Sequence, residues 1–241
     1  MLCVTAHPDD ECFAFGGALV LAAERGIETS VVCFTDGKAA SNRGAAKTGA
    51  ELGAMRREEF AAACKLLGVT HTEMLPYEDG QLEYANFHQA AGLLVEWMRR
   101  WKPDVVLTFG LDGAQNAHAD HTMVSCFTSA AFRWAARPGR YPEQLEHGLE
   151  SHTAKRLYHQ TTDFVLTDRP TLLPSPWTVA LDVSGVLERK LAAFALHTSQ
   201  AALLDKNRPM FKKHGQTEHY VLSGVQEPQA AVVGMDLFTG L

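Results

Sequence analysis

Four short runs of apolar and β-branched residues, each followed by a stretch with helical spacing, constrain this chain more than any other feature. The runs fall at residues 2–6, 29–34, 71–75 and 104–109. Gly26 closes the helical stretch 18–25, and Gly68 closes a longer one with Leu52, Met55, Ala63, Leu66 and Leu67 on or near one face. Residues 86–101 and 118–137 read as two further helices. Strands that are apolar throughout are buried on both faces, as in a parallel sheet covered by helices. The alternating order therefore predicts an α/β fold, a three-layer sandwich with a mostly parallel central sheet.

The remainder is less regular. Residues 138–153 are rich in charge and turn formers and predict a loop. Residues 156–160 and 177–181 predict edge strands, and 183–199 predict a helix through Val186, Leu187, Leu191, Phe194 and Leu196. No repeat, linker or low-complexity tract divides the chain, so residues 1–241 are expected to form one domain.

Composition narrows the partners. With 46% apolar and 21% charged residues the chain has an ordinary globular balance. Lysine and arginine number 22 against 28 acidic residues, a net charge of −6 without a basic block, which disfavours nucleic acid. No apolar run approaches the roughly 18 residues of a membrane span, and the first residues lack the pattern of a secretory signal. The five cysteines (Cys3, Cys12, Cys33, Cys64, Cys126) cannot all pair within one chain and form no CxxC, which fits a reducing cytoplasm. The sequence leaves a homo-oligomer open.

Open parallel sheets bind ligands beyond the carboxyl ends of their strands. Two polar clusters lie at such ends: His7-Pro8-Asp9-Asp10-Glu11 after the first strand, and Asn116-Ala117-His118-Ala119-Asp120-His121 after the fourth. One His and one Asp from the first, with one His from the second, would make the three-ligand set of a catalytic zinc site, without cysteine. The other Asp of the pair could then accept a proton from the water that such a metal acidifies. Each cluster alone has a plainer reading, as a turn, a helix cap or a solvated helix face. Their joint occurrence at two strand ends favours the metal site. A dinucleotide-binding protein is disfavoured, because acidic residues stand where G-x-G-x-x-G would bind phosphate. No G-x-S-x-G elbow supports a serine nucleophile.

In order and spacing, these motifs resemble those of the LmbE/PIG-L family of zinc-dependent N-acetylglucosaminyl deacetylases along most of the chain. Ala6-His7-Pro8-Asp9-Asp10-Glu11 resembles its AHPDDE signature, and Phe34-Thr35-Asp36-Gly37 its TDG turn. Met55-Arg56-Arg57-Glu58-Glu59-Phe60 and Leu67-Gly68-Val69 resemble its R-x-x-E helix and the LGV that follows. Tyr77-Glu78-Asp79-Gly80 resembles its DG segment, and residues 182–200, with His197 and Gln200, its late helix. His118-Ala119-Asp120-His121 resembles its HPDH motif, with Ala119 in place of proline.

The resemblance implies a Rossmann-like α/β sandwich with zinc (Zn2+), or Fe2+ or another divalent metal, held by His7, Asp10 and His121. It implies Asp9 as general base, and His118 as stabiliser of an oxyanion or proton donor to the leaving amine. Arg56 and Asp79 would contact the sugar, although Arg57 fits the arginine position equally and an Arg56–Glu59 surface ion pair is the plainer reading. Asp120 is expected to orient a neighbouring histidine or to cap its helix, and His197 and Gln200 are expected to pack. The implied reaction removes the N-acetyl group from a small-molecule N-acetylglucosamine-type amino-sugar conjugate, releasing acetate. The runner-up is a family amidase acting on a larger acyl group or a thiol-conjugate amide, with selectivity in loops 38–49, 111–117 and 138–153. A non-catalytic sugar-binding protein is disfavoured, since every implied ligand and the base are present.

Overall fold

The computed structural model describes residues 1–165, 174–228, 230, 234 and 236–239, with Gln115 described by its backbone alone. Among them, seven strands form one sheet: β1 (Leu2–Thr5), β2 (Ser30–Thr35), β3 (His71–Tyr77), β4 (Val105–Phe109), β5 (Arg156–Thr161), β6 (Val179–Asp182) and β7 (Thr217–Val225). The order is β3-β2-β1-β4-β5-β7-β6. Strands β1 to β5 pair in parallel, whereas β7 runs antiparallel to both β5 and β6. Every residue of β1, β2 and β4 is buried, which explains why these strands carry no alternation.

The helices are α1 (Asp10–Phe13), α2 (Gly16–Glu24), α3 (Gly49–Leu67), α4 (Phe87–Trp101), α5 (Ala119–Trp134), α6 (Pro142–Glu146), α7 (Leu187–Ala195) and α8 (Ala201–His214). Helices α1, α2, α3 and α7 pack together in one layer, while α4 packs on α5 in the other. Thr48 caps α3 by accepting the Glu51 N–H, and Gly68 ends it at φ 85°. Asn86 caps α4 in the same way through the Gln89 N–H.

The start of α2 shows why Gly17 stands there. A Cβ on Gly17 would strike Val183 and come within 2.8 Å of Glu218 Oε1. The buried Glu218 carboxylate accepts the N–H groups of Gly17 and Ala18 (2.7 and 2.9 Å), the Tyr220 hydroxyl (2.7 Å) and Lys190 Nζ (2.7 Å). A charge held inside the protein needs this density of partners.

The second half departs from expectation. Residues 156–160 do not form an edge strand: β5 is interior, because β7 pairs along its outer side. Strand β7 has no apolar run to announce it, since Glu218, His219, Ser223 and Gly224 interrupt it. Helix α8 is similarly obscure, as it buries only Leu204 and Phe211 and contains Pro209. The segment 183–199 is not one helix; turns at Ser184–Val186 and Thr198–Gln200 flank the shorter α7. The 138–153 loop includes α6. No helix among the described residues is long and apolar enough to cross a membrane, and all five cysteines are free.

His159 on β5 is held neutral: burial pushes its ring down from 6.5 to about 4, and Ser129 Oγ lies 3.0 Å from Nε2. The native state refuses a proton that the unfolded chain accepts, so this histidine's contribution is intact above pH 6.5 and is lost as pH falls towards 4. Within that window it steepens the loss of stability by up to about 1.4 kcal/mol per pH unit. His159→Gln is expected to flatten the pH dependence of the denaturant midpoint there; an unchanged slope would contradict a neutral buried ring.

Candidate active site

Neighbouring strands β1 and β4 send their following connections to opposite sides of the sheet, towards β2 and β5 respectively. Such a switch point opens a crevice at the carboxyl ends. His7 leaves β1 directly, and the Asp10 side chain folds back so that Oδ2 accepts the His7 and Ala6 N–H groups (2.8 and 3.3 Å). This turn forces Asp9 to φ 114°, ψ −27°, a strained backbone for a residue other than glycine. Beyond β4, Gly113, Ala114 and Ala117 all have positive φ (74°, 61° and 54°) and deliver His118 to the N-cap of α5. There His118 Nδ1 accepts the Asp120 N–H at 3.2 Å.

One potential donor atom from each of His7, Asp10 and His121 lies within 4.8 Å of the others, and all three residues are buried. Asp10 stands between the two rings, with Oδ2 3.5 Å from His7 Nδ1 and Oδ1 3.3 Å from His121 Nε2. The remaining nitrogens face acceptors. His121 Nδ1 is 3.2 Å from the Gly113 carbonyl, and His7 Nε2 is 3.1 Å from both Asp120 Oδ2 and Asp79 Oδ1. The His121 ring also stacks on Phe109 at 4.0 Å. Two imidazoles and one carboxylate, with the outer nitrogens held by oxygen acceptors, suit zinc or another divalent cation.

The electrostatics are those of crowded acids out of water. Burial pushes the Asp9 carboxyl up from 3.8 to about 6, with Arg56 pulling it down and Asp10 pushing it up. Burial would also raise Asp10, but His121 and His7 hold it well below the usual carboxylate range. Burial disfavours a charged His7, yet Asp10, Asp120 and Asp79 together lift it well above 6.5. His118 is lowered by burial and by the neighbouring His7 and His121 rings.

His7, Asp9, Asp10, Arg56, Asp79, His118, Asp120 and His121 are therefore brought together beyond the ends of β1 and β4, with some unforeseen contacts. Asp120 reaches His7 while its carboxylate also accepts the Gly80 and Leu82 N–H groups (2.7 and 3.1 Å); the cap of α5 is His118. Asp79 Oδ2 accepts the Ala39 N–H at 2.8 Å. Arg56 is 3% exposed and donates to the carbonyls of Gly37 and Pro8 and, at 3.1 Å, to Asp9 Oδ2. It makes no surface pair with Glu59, whose buried carboxylate accepts the Thr198 and Ser199 hydroxyls (both 2.6 Å) and the Ser199 N–H (2.8 Å). Arg57 instead points outward to Asp36 at 3.2 Å.

Two further residues join the site without a role that the sequence pattern implies. Glu11, wholly buried, accepts the Asp9 N–H on Oε2 at 2.9 Å, and its Oε1 lies 2.6 Å from His197 Nε2. The only sequence signals for this pair were the final acid of the first cluster and the position of His197 in the late motif.

The fold and site define an α/β protein with a buried histidine–carboxylate cluster at the switch point of its sheet. More particularly, the chain belongs to the PIG-L family: the family model described as GlcNAc-PI de-N-acetylase matches residues 2–132, over half of the chain. Its relatives include the diacetylchitobiose deacetylase of Thermococcus kodakarensis, 28% identical over 200 residues that cover 83% of this chain and 69% of that protein. Another is the 1D-myo-inositol 2-acetamido-2-deoxy-alpha-D-glucopyranoside deacetylase of Acidothermus cellulolyticus, 28% identical over 282 residues, covering 100% of this chain and 94% of that protein. Among solved structures, the N,N'-diacetylchitobiose deacetylase of Pyrococcus horikoshii shares the fold. Its TM-score is 0.73 at 24% identity, covering 91% of this chain and 81% of that one.

The left-handed Ala117, at φ 54°, makes the loop before His118 sensitive to side-chain shape. Ala117→Gly is expected to leave stability unchanged or raise it by up to about 1 kcal/mol. Ala117→Val, β-branched at the same dihedrals, is expected to cost more than about 1 kcal/mol. Denaturant midpoints of the two variants check the ordering, and a tolerated valine would contradict it.

Proposed function

We propose that this protein is a metal-dependent hydrolase that removes the N-acetyl group from an N-acetylglucosamine-type conjugate, releasing acetate and a free amine. One observation carries the reading: in a PIG-L chain, the possible ligands His7, Asp10 and His121 converge beside Asp9 and His118. His7 Nδ1, the Asp10 carboxylate and His121 Nε2 would hold zinc, with iron(II) or another divalent ion as substitute. Such an ion, when bound, supplies a Lewis acid for the amide carbonyl and makes a water molecule ionise near neutral pH.

The chain's own residues would do the rest. Asp9 accepts the proton of the attacking water, and its raised affinity for protons brings it towards the range in which a base works well. The Asp120 N–H occupies His118 Nδ1, which leaves Nε2 as the N–H-bearing nitrogen of the neutral ring. From there it would donate to the oxyanion formed on the carbonyl. Proton return to the nitrogen then breaks the C–N bond. Asp120 and Asp79 keep the His7 ring oriented through Nε2. Arg56 and Asp79 would also meet the sugar, through the small surface that their bonds to Asp9 and His7 leave open. The free cysteines fit work in the cytoplasm.

Acetate release from a panel of N-acetylglucosamine conjugates tests this directly. Stripping metal with a chelator is expected to abolish release, and added zinc to restore it. Release that survives complete stripping would refute metal dependence. Metal-loaded protein inactive on every acetylated conjugate but active on a larger acyl amide would place the chain among amidases instead. Asp9→Asn, with metal content unchanged, is expected to lower kcat by about 10²–10⁴, the usual range for a general base. An unaltered kcat would remove Asp9 from that role.

A further inference from the structure

Asp9 holds its position against its own backbone preference. At φ 114° and ψ −27° the strain is of a kind that persists only where surrounding contacts over-determine the conformation. The α1 backbone contributes, since Cys12 and Phe13 both donate to the Asp9 carbonyl at 3.0 Å. On the side-chain side, Arg56 grips Asp9 Oδ2 and the Pro8 carbonyl. On the amide side there is one side-chain partner: Glu11 Oε2, 2.9 Å from the Asp9 N–H.

Glu11 cannot do this alone. Its side chain is wholly buried, and a carboxylate in that setting stays in place only with partners on both oxygens. Its second oxygen, Oε1, has Cys12 Sγ at 3.1 Å, a weak donor, and His197 Nε2 at 2.6 Å. His197 comes from the turn after α7, 186 residues further along the chain. The adjoining Thr198 and Ser199 are fastened to Glu59 on α3, one turn from Arg56. The late segment thus reaches Asp9 along two routes, through Glu11 to its amide and through α3 to its carboxylate.

We infer that His197 is a positioning residue: through Glu11 it fixes the strained backbone of Asp9 and so sets where the Asp9 carboxylate stands. The kinetic part of the test rests on the hydrolase reading above, whereas the exchange part does not. Asparagine places its amide nitrogen where Nδ1 was and falls short of Glu11, whereas glutamine places it near the position of Nε2. His197→Asn should therefore cut the link and His197→Gln should largely keep it, with little difference in bulk.

Amide hydrogen exchange at Asp9 is expected to accelerate about tenfold or more in His197→Asn and to stay near the wild-type rate in His197→Gln, as for a local opening. In acetate release, His197→Asn should lower kcat about 10- to 100-fold with KM and metal content little changed, the scale of a misplaced catalytic group. In an Asp9→Asn background the same substitution should cost no more than about twofold, because the group it positions is gone. Equal losses in both backgrounds, or wild-type Asp9 exchange in a folded His197→Asn protein, would overturn the proposal in favour of a general packing role. If wild type itself releases no acetate, the hydrolase reading fails while exchange still decides the clamp. If His197→Asn does not fold, Glu11→Asp probes the same link. Its carboxylate, one methylene shorter, cannot span the Asp9 N–H and His197 together, so accelerated Asp9 exchange is expected and its absence is fatal to the idea.

Discussion

Five carboxylates, those of Asp9, Asp10, Glu11, Asp79 and Asp120, are brought together behind the ends of β1 and β4, and four of these side chains are 12% exposed or less. Keeping negative charge in such a place is costly unless each oxygen has a partner, and the surrounding architecture is arranged around that demand. Asp10 is shared by two imidazoles and two backbone amides, and Asp120 by His7 and the amides of Gly80 and Leu82. Glu11 is met by His197 and the Asp9 amide. The partners come from the β1 turn, the segment after β3, helices α3 and α5, and the turn after α7. Disturbing any of these layers therefore reaches the site.

The same accounting explains why Asp9 differs from Asp10 and Asp120. Asp10 and Asp120 are held below the ordinary carboxylate range because histidines answer their burial. For Asp9 burial prevails over Arg56 and, more weakly, His197, which oppose it. Neighbouring aspartates in sequence are thus set apart in proton affinity. This difference between carboxylates depends on environment rather than residue type.

Strands β1, β2 and β4 were legible because full burial on both faces leaves no polar position to confuse the pattern. The two site clusters were legible because their residues are dense in sequence and sit where those strands end. Strand β7 was not, since it carries into the core a glutamate whose charge is answered by Lys190 and the start of α2, elements remote in sequence. Arg56 and Glu59 invited a surface pair by their helical spacing, yet both face inward to separate partners. His197 lay beyond pattern reading for a similar reason: its meaning resides in a contact across 186 residues.

That contact also divides the site by time of appearance. A ribosome delivers the chain from its N-terminus, and residues 2–132 already contain β1 to β4, all three residues of the His7–Asp10–His121 cluster and Asp9 itself. Glu11 must wait for the turn after α7 before His197 meets its second oxygen. The nascent chain therefore carries every residue of the donor cluster before it carries the histidine that holds the aspartate loop. Maturation of the site is then a last stitch, made when the end of the chain returns to tighten a loop laid down at the beginning.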